Sequence, residues 1–513
     1  MSGRSVLLIE NVSKTEIHCS IFEEPRMRKS YSNQLRLDSP PIDQVQLNFD
    51  CRDSIVPVLR SLQHVYSKPE VTERIMQLVG RDINSQTSTN RGREGMDYWH
   101  ILVLAGVRLG CNYTYDQLQD LAENHIKLRA IMGVGAWDEH TNFKWRTIRD
   151  NLCRLSPETI DEISRLFVAE GHKIVPKAIE KVRADSFVME TNIHYPTESS
   201  LIRDGLRKIL EICSQLAVGD SVVGWRQHQY LLRRVKQLAR EIDRIAGKKG
   251  PNYVTRMKVP YRELLQKAKV ITQRARELCV RLNLPTPTAA DIFGPNTLQA
   301  FIARTERVMD TATRRILNDE SVPNSNKLFS IFEPHTQLYK RGKAGEPVQF
   351  GRQILVFEDS AGFIVNKTLM KRDHCDSGVA LEATKYLLKM FNNKVNRLSF
   401  DRGFHSPENQ TELSQIIPKL CLPKPGSKQS VAQRAVIDDE FLEAQQYHPG
   451  IESAIGALQF GNGMQRCRDR SELGFERYSS LAILGRNMHT LGRLLIAGEC
   501  ADSEAGSTRR KAA

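Results

Sequence analysis

The sequence predicts an α+β protein in which a helical N-terminal region leads into a mixed-sheet core, itself interrupted by a long, basic helical insertion. Three observations carry this. From about Ile55 to Leu155 apolar residues recur three or four apart, the period of amphipathic helices. At VRADSFVMETNI (182–193), and again after about Lys327, the period falls to two in stretches rich in β-branched and apolar residues and bounded by turn formers. Between these strand regions the chain returns to the helical period and carries most of its net charge.

The first forty or so residues are polar and end in Asp38-Ser39-Pro40-Pro41, so 1–50 is expected to be a loosely ordered leader. Residues 51–180 are expected to form a helical DNA-binding domain, beginning with IVPVLRSLQHVY, VTERIMQLVG and YWHILVLAGVRLG. Within it TYDQLQDLAENHIKLRAIMG, a short Gly-containing link and TNFKWRTIRDNLCRL have the skeleton of a helix-turn-helix. The second helix carries Lys144, Arg146 and Arg149 on its polar side. Helical hairpins are common in any helical domain, so this pattern alone does not establish DNA reading.

The strand at 182–193 contains Asp185 and ends at His194-Tyr195-Pro196-Thr197. Residues 201–326 form the expected insertion, and its segment 224–283 holds sixteen Lys or Arg against four Asp or Glu. Any one of these charges is accounted for by a solvated helix face, but an excess this large suits phosphate neutralisation and counterion release. Arg233, Arg234, Lys248 and Lys249 are its candidate DNA contacts. After Lys327, SIFEPHTQLYKRGK, PVQFGRQILVFED and FIVNKTLM predict consecutive strands of a meander, with Lys340, Arg341 and Lys343 clustered at one turn. The helix GVALEATKYLLKMFN, the short strand RLSFDRGF with Asp401 just past its apolar run, and two further helices complete the core, assigned to 181–200 and 327–495. Residues 496–513 are expected to be a flexible tail.

At 513 residues the chain is long enough for about three domains. A net charge of +14 and a pI near 9.3 favour polyanionic partners, with nucleic acid first. The ten cysteines include no Cys-x-x-Cys pair, which argues against zinc knuckles and a disulfide scaffold. The longest apolar run is broken by Arg108, and the N-terminus lacks export features, so a cytoplasmic, membrane-free protein is expected. No glycine-rich nucleotide loop is present. Adjacent pairs such as His405 with Ser406 and His374 with Cys375 lack a third partner for covalent catalysis.

Three acids occupy costly places: Asp185 inside an apolar strand, Asp401 at the end of another, and Glu452 beside the apolar stripe Ile451, Ile455 and Leu458. Each has a plain explanation alone, because strand-end Asp forms turns and Glu in a first helical turn is favoured by the helix dipole. Together they describe a mixed sheet and a following helix able to bring three carboxylates onto two divalent ions. Oxygen ligands suit Mg²⁺ or Mn²⁺. Gly456, one turn beyond Glu452, would keep that helix face clear for DNA.

At these residues the chain resembles the DDE-class transposases of bacterial insertion sequences. The resemblance rests on HYPTESSLI, SIFEPHTQLYKRGK leading to VQFGRQ, SFDRGFHSPEN, and HPGIESAIGALQFGNGMQRCRDRSELGFERYSSLAILGRNM, in order over roughly 95–492. It implies an RNase H-like catalytic core, metal-dependent cleavage at element ends and strand transfer into target DNA. The implied catalytic and metal-binding residues are Asp185, Asp401 and Glu452, with two Mg²⁺ ions as cofactors. The implied partners are terminal-repeat and target double-stranded DNA and a second copy of the chain, in the bacterial nucleoid. Where many relatives place a Tyr and an Arg before the catalytic Glu and a Lys seven residues after it, this chain has His448 four before and Gln459 seven after. Arg466 and Arg468 are candidate substitutes for that phosphate clamp, and Arg402 is a candidate contact beside Asp401. The alternative reading is a domesticated or inactive transposase derivative that binds DNA without cutting it.

Overall fold

The computed structural model describes residues 36–85, 95–138, 141–217, 225–340, 348–372, 374–424 and 439–512. It is a mixed α/β protein, 62% helical, with one mixed sheet.

Helices α1 (Ile55–Tyr66), α2 (Pro69–Ser85) and α3 (Tyr98–Gly110) form where the apolar period places them. α3 is buried without interruption from Ile101 to Gly110, which makes it a central rather than a surface helix. The next expected helix divides into α4 (Tyr115–Asn124) and α5 (Ile126–Met132). His125 is the reason: it leaves the helical conformation, and its Nδ1 accepts the Leu128 N–H at 3.0 Å, starting a new helix. α6 (Trp145–Leu152) packs on α4 and is shorter than its sequence period suggests, with Lys144 at its N-cap. α7 (Pro157–Ile174) begins with Pro after a Ser156 side-chain cap.

The sheet is built around β1 (Lys181–Thr191). On one side β3 (Val348–Asp359) pairs antiparallel with it, and β3 in turn pairs antiparallel with β2 (Gln337–Lys340) and β4 (Ile364–Leu369). On the other side β5 (Arg397–Phe400) and β6 (Lys419–Cys421) run parallel to β1, and the two-residue β7 (Arg466–Cys467) pairs with its far end. Between β1 and β2 come α8 (Glu198–Leu216), α9 (His228–Lys248), α10 (Tyr253–Arg281) and α11 (Leu298–Ala312). After β4 come α12 (Asp376–Met390), α13 (Pro407–Ile416), α14 (Asp439–Tyr447), α15 (Gly450–Gly456) and α16 (Glu472–Ala512). The segment DEFLEAQQYHPGIESAIGALQF, expected as one helix, is broken at His448-Pro449, because proline cannot continue the hydrogen-bond ladder of α14.

One apolar core runs from Ile42 through α1–α7 and the sheet to Leu491 on α16. The helical region expected as a separate N-terminal domain therefore shares its interior with the sheet. α16 joins them, packing against α1, α3 and α7. Its approach to α3 is close: a Cβ on Gly485 would lie 2.3 Å from the Gly110 nitrogen, so only a glycine fits there. A second, distinct core joins Leu201 to Ile331, so the insertion's interior runs past its expected end at 326 to take in Leu328 and Ile331.

Two stretches differ from their expected disorder. Residues 36–50 of the leader are anchored, since Ile42 and Val45 are buried and the Gln63 side chain donates to the carbonyls of Ile42, Asp43 and Val45. The backbone of 496–512, expected as a flexible tail, continues α16, the helical pattern before it being extended by helix-compatible Ala, Glu, Lys and Arg. Among the described residues no helix is long and apolar enough to cross a membrane.

Candidate functional site

Asp185 and Asp401 arrive together through strand register. β1 and β5 pair in parallel from Lys181 opposite Arg397 to Ala184 opposite Phe400. Each aspartate is the next residue beyond that last pair. The two carboxylates thus leave neighbouring strands, about 4.8 Å apart, at the same level. Asp401 is exposed and Asp185 half-buried, with Asp185 Oδ1 accepting the Ser186 N–H at 2.7 Å.

Glu452 reaches this end of the sheet because the α14–α15 junction is held on β1. Arg183 is two residues before Asp185 and so lies on the same strand face. Its guanidinium donates to the Tyr447 carbonyl at 3.1 Å and to Glu358 Oε2 at 2.6 Å, and it stacks on the Tyr447 ring. A Cβ on Gly450 would meet the Arg183 guanidinium, so a larger residue there would have to displace Arg183 from its contacts with Tyr447 and Glu358. From the same junction the His448 ring pairs with Ser399 Oγ at 3.2 Å, two residues before Asp401. Burial pushes the His448 imidazole below its ordinary value, while the charges of Asp401 and Glu452 both pull it upward. His448 is therefore a neutral group at neutral pH, within electrostatic reach of both acids. Glu452 is exposed in the first turn of α15, and a Cβ on Gly456 would meet nothing within 4 Å.

The donor set is three carboxylates, oxygen ligands of the kind that suit a hard divalent cation. Among the described residues, however, no group of three or more His, Cys, Asp or Glu is gathered closely enough to hold a metal ion. Asp185 and Asp401 lie side by side where β5 stops against the middle of β1, and Glu452 is on the helix that follows the junction held to β1; they form no closed ligand cage.

A fourth carboxylate, Asp376, was not anticipated. It opens α12, accepts from Ser186 Oγ and Gln353 Nε2 at 2.7 Å each, and lies 3.5 Å from where a Cβ on Gly403 would be. Its only sequence signal is an Asp in a first helical turn, a place where acids are common for dipole reasons alone. Two further acids, Glu190 on β1 and Glu472 at the start of α16, are engaged elsewhere: Glu190 pairs with Arg466 at 2.9 Å and Glu472 with Arg352 at 2.7 Å.

The expected DNA contacts divide by what surrounds them. Lys144 and Arg146 are exposed on α6 beside Trp145, and Arg149, also exposed, pairs with Asp150. Arg402 is exposed next to Asp401, as is Lys340 at the end of β2, while Arg341 and Lys343 lie outside the described residues. Arg466 is exposed but bound to Glu190. Arg468 is half-buried and committed to the Asn112 side chain at 2.8 Å and the Tyr478 hydroxyl at 3.0 Å, so its guanidinium serves packing between α3 and α16. In the insertion Arg233, Lys248 and Lys249 are exposed, whereas Arg234 is half-buried and paired with Glu263 at 3.3 Å.

No protein-family model, curated protein or solved structure matches this chain.

Proposed function

We propose that this chain is a DDE-class DNA transposase with an RNase H-like core, cleaving DNA at element ends and joining them to target DNA. The observation that carries this reading is that Asp185 and Asp401 lie side by side where β5 stops against the middle of β1, with the junction before α15 held to both strands. Asp185, Asp401 and Glu452 are the residues that would hold Mg²⁺ or Mn²⁺, two ions being expected. Bound there, such ions supply charge stabilisation to the attacking and leaving oxygens of phosphoryl transfer. Asp185 and Asp401 present oxygens from adjacent strands, and Glu452 adds one from the helix that Arg183 pins in place. His448, whose charged form burial disfavours, pairs with Ser399 Oγ and so ties the junction before α15 to β5. Arg402, exposed beside Asp401, would supply a cation to the scissile phosphate, and the exposed Lys144, Arg146 and Lys340 would offer further backbone contacts. Joining two ends calls for a second copy of the chain, and a nucleoid location follows from the substrate.

The test is a cleavage assay on duplex DNA carrying the element's own ends, with Mg²⁺ present. The intact protein is expected to nick at the ends, and Asp401→Asn to lose at least about a hundredfold in rate while duplex affinity holds. Binding without cutting by the intact protein would instead identify a DNA-binding derivative that has lost its chemistry. Indifference to duplex DNA would overturn both readings.

A further inference from the structure

The insertion's positive charge is not spread evenly over its helices. On α9 (His228–Lys248) the buried residues are Val235, Leu238, Ala239 and Ile242, spaced three, one and three apart, and they define its inner face. Arg233, Lys236, Arg240, Arg244 and Lys248 follow one another at intervals of three, four, four and four, which places them in a single row on the opposite side. All five are exposed, and none makes a hydrogen bond or ion pair among the described residues. Gly247 falls in the same row, and a Cβ there would meet nothing within 4 Å. Glu241 and Asp243 flank the row, and Asp243 is engaged by Ser199.

α10 (Tyr253–Arg281) uses its cations differently. Lys258 pairs with Asp319, Lys267 with Glu263 and Arg276 with Glu306, and Arg274 covers the Trp225 ring. Among the described residues, the unpaired, exposed cations of α10, Arg256, Arg262, Lys269 and Arg281, are six, seven and twelve residues apart and form no such row, so it is α9 that presents a continuous cationic face.

From this contrast we propose that the outer face of α9 is a docking rail for the sugar-phosphate backbone of double-stranded DNA, contributed by the insertion and separate from the carboxylate site. The row spans sixteen residues, about 22 Å along a straight helix, or about one cation every 5–6 Å. One strand of a B-form duplex presents a phosphate about every 3.4 Å along its axis, so a rigid row of this length and charge density matches a rigid duplex. Between Arg233 and Lys248 no large apolar side chain is exposed. An adsorbed membrane helix needs several apolar residues beside its cations, and a single-strand groove needs successive aromatic platforms for bases; α9 offers only Tyr230, one turn before Arg233. It binds by charge and shape and does not read sequence.

The inference rests on the transposase reading only for DNA as the natural duplex. Its test uses the full-length protein and a 30-base-pair DNA of arbitrary sequence, with affinity measured between 50 and 200 mM salt. Two variants divide the row, R233Q/K236Q and R240Q/R244Q/K248Q, because glutamine keeps helix propensity. The slope of log affinity against log salt is expected to fall by about two in the first and about three in the second, and by their sum in the combined variant. Far-ultraviolet circular dichroism and melting profiles unchanged from the parent establish that the fold is retained. A control, R256Q/R262Q/K269Q on α10, is expected to change the slope by less than one. An unchanged slope in both α9 variants overturns the proposal, as does an equal fall in the control, since that reports net charge alone. Loss of binding to phosphatidylserine vesicles with duplex binding intact would assign the row to a membrane surface and also overturn it. Asp401→Asn separates the two readings: if the intact chain never cuts but the α9 slopes fall as stated, the rail stands and the catalytic reading fails.

Discussion

The two cores of this protein are built to different plans. The larger is assembled from segments hundreds of residues apart, with Val58 of α1, Phe357 of β3 and Met488 of α16 in one buried cluster. The smaller draws on one continuous stretch, Leu201 to Ile331, and closes on itself. An aromatic trio, Tyr195, Phe329 and Phe350, lies where the insertion leaves and rejoins the sheet. The difference teaches how the sheet can tolerate a long interruption: the insertion supplies its own interior, so it asks little of the sheet beyond two adjacent exits. It also separates the two chemistries, with Asp185, Asp401 and Glu452 on elements of the shared core and the exposed cationic row of α9 on the independent one.

The most severe way to break this division is to cut a cavity in either core. Phe357→Ala and Phe301→Ala remove side chains that are almost fully buried, one in each core, and each is expected to cost about 3–5 kcal/mol. Because Trp99 lies in the shared core and Trp225 in the insertion, each core is followed by fluorescence in a variant that keeps only its own tryptophan, the other three being changed to Phe. Phe357→Ala should lower the Trp99 transition and Phe301→Ala the Trp225 transition. Equal displacement of both by either variant would mean that the cores unfold as one.

A comparable loss is expected from Arg108→Met. Arg108 is 2% exposed and bound to Asp469 at 2.6 Å, so removing it strands a buried carboxylate at about 3–5 kcal/mol. Pairing it with Asp469→Asn should restore part of the stability, and an additive double variant would show that the pair is not coupled.

Gly485→Ala is a smaller test of the same core. A methyl group there meets the Gly110 backbone, so α16 and α3 must separate, at about 1–3 kcal/mol in the chemical denaturation midpoint of the shared core. No change would mean that the helices are not in contact.

The smallest expected effect is a difference in acid sensitivity. Burial pushes His335 and His489 down to about 4 and lowers His448, and all three lie around the sheet and α16. Between the unfolded imidazole value of about 6.5 and the folded values, the unfolded chain binds more protons. Stability of the shared core should therefore fall as pH drops through about 6.5 towards about 4, while the Trp225 transition stays nearly level. His489→Gln should flatten part of that slope, and equal acid sensitivity of both transitions would count against the division.

Much of this architecture is visible in local pattern. The spacing of Ile55, Val58, Leu59 and Leu62 foretells α1, and the alternation around Asp185 foretells β1. Both survive because burial of one face is a local demand. The breaks were harder: His125 and Pro449 each end a helix that the apolar period would continue, one through a side-chain cap and the other through a missing donor. The anchored leader was invisible because it depends on Gln63, whose reach to three carbonyls is not encoded near Ile42.

The same boundary runs through the candidate site. By itself the sequence determined residue chemistry: which acids stand in apolar places, where cations accumulate, and which segments can be helix or strand, because these depend on neighbours a few positions away. Only the tertiary structure decided that Asp185 and Asp401 leave adjacent strands at one level, that Arg234 and Arg468 are committed internally, and that five cations of α9 face outward in a row. Those outcomes depend on strand register and on which side of a helix is buried, and both are settled by contacts between residues far apart in the chain.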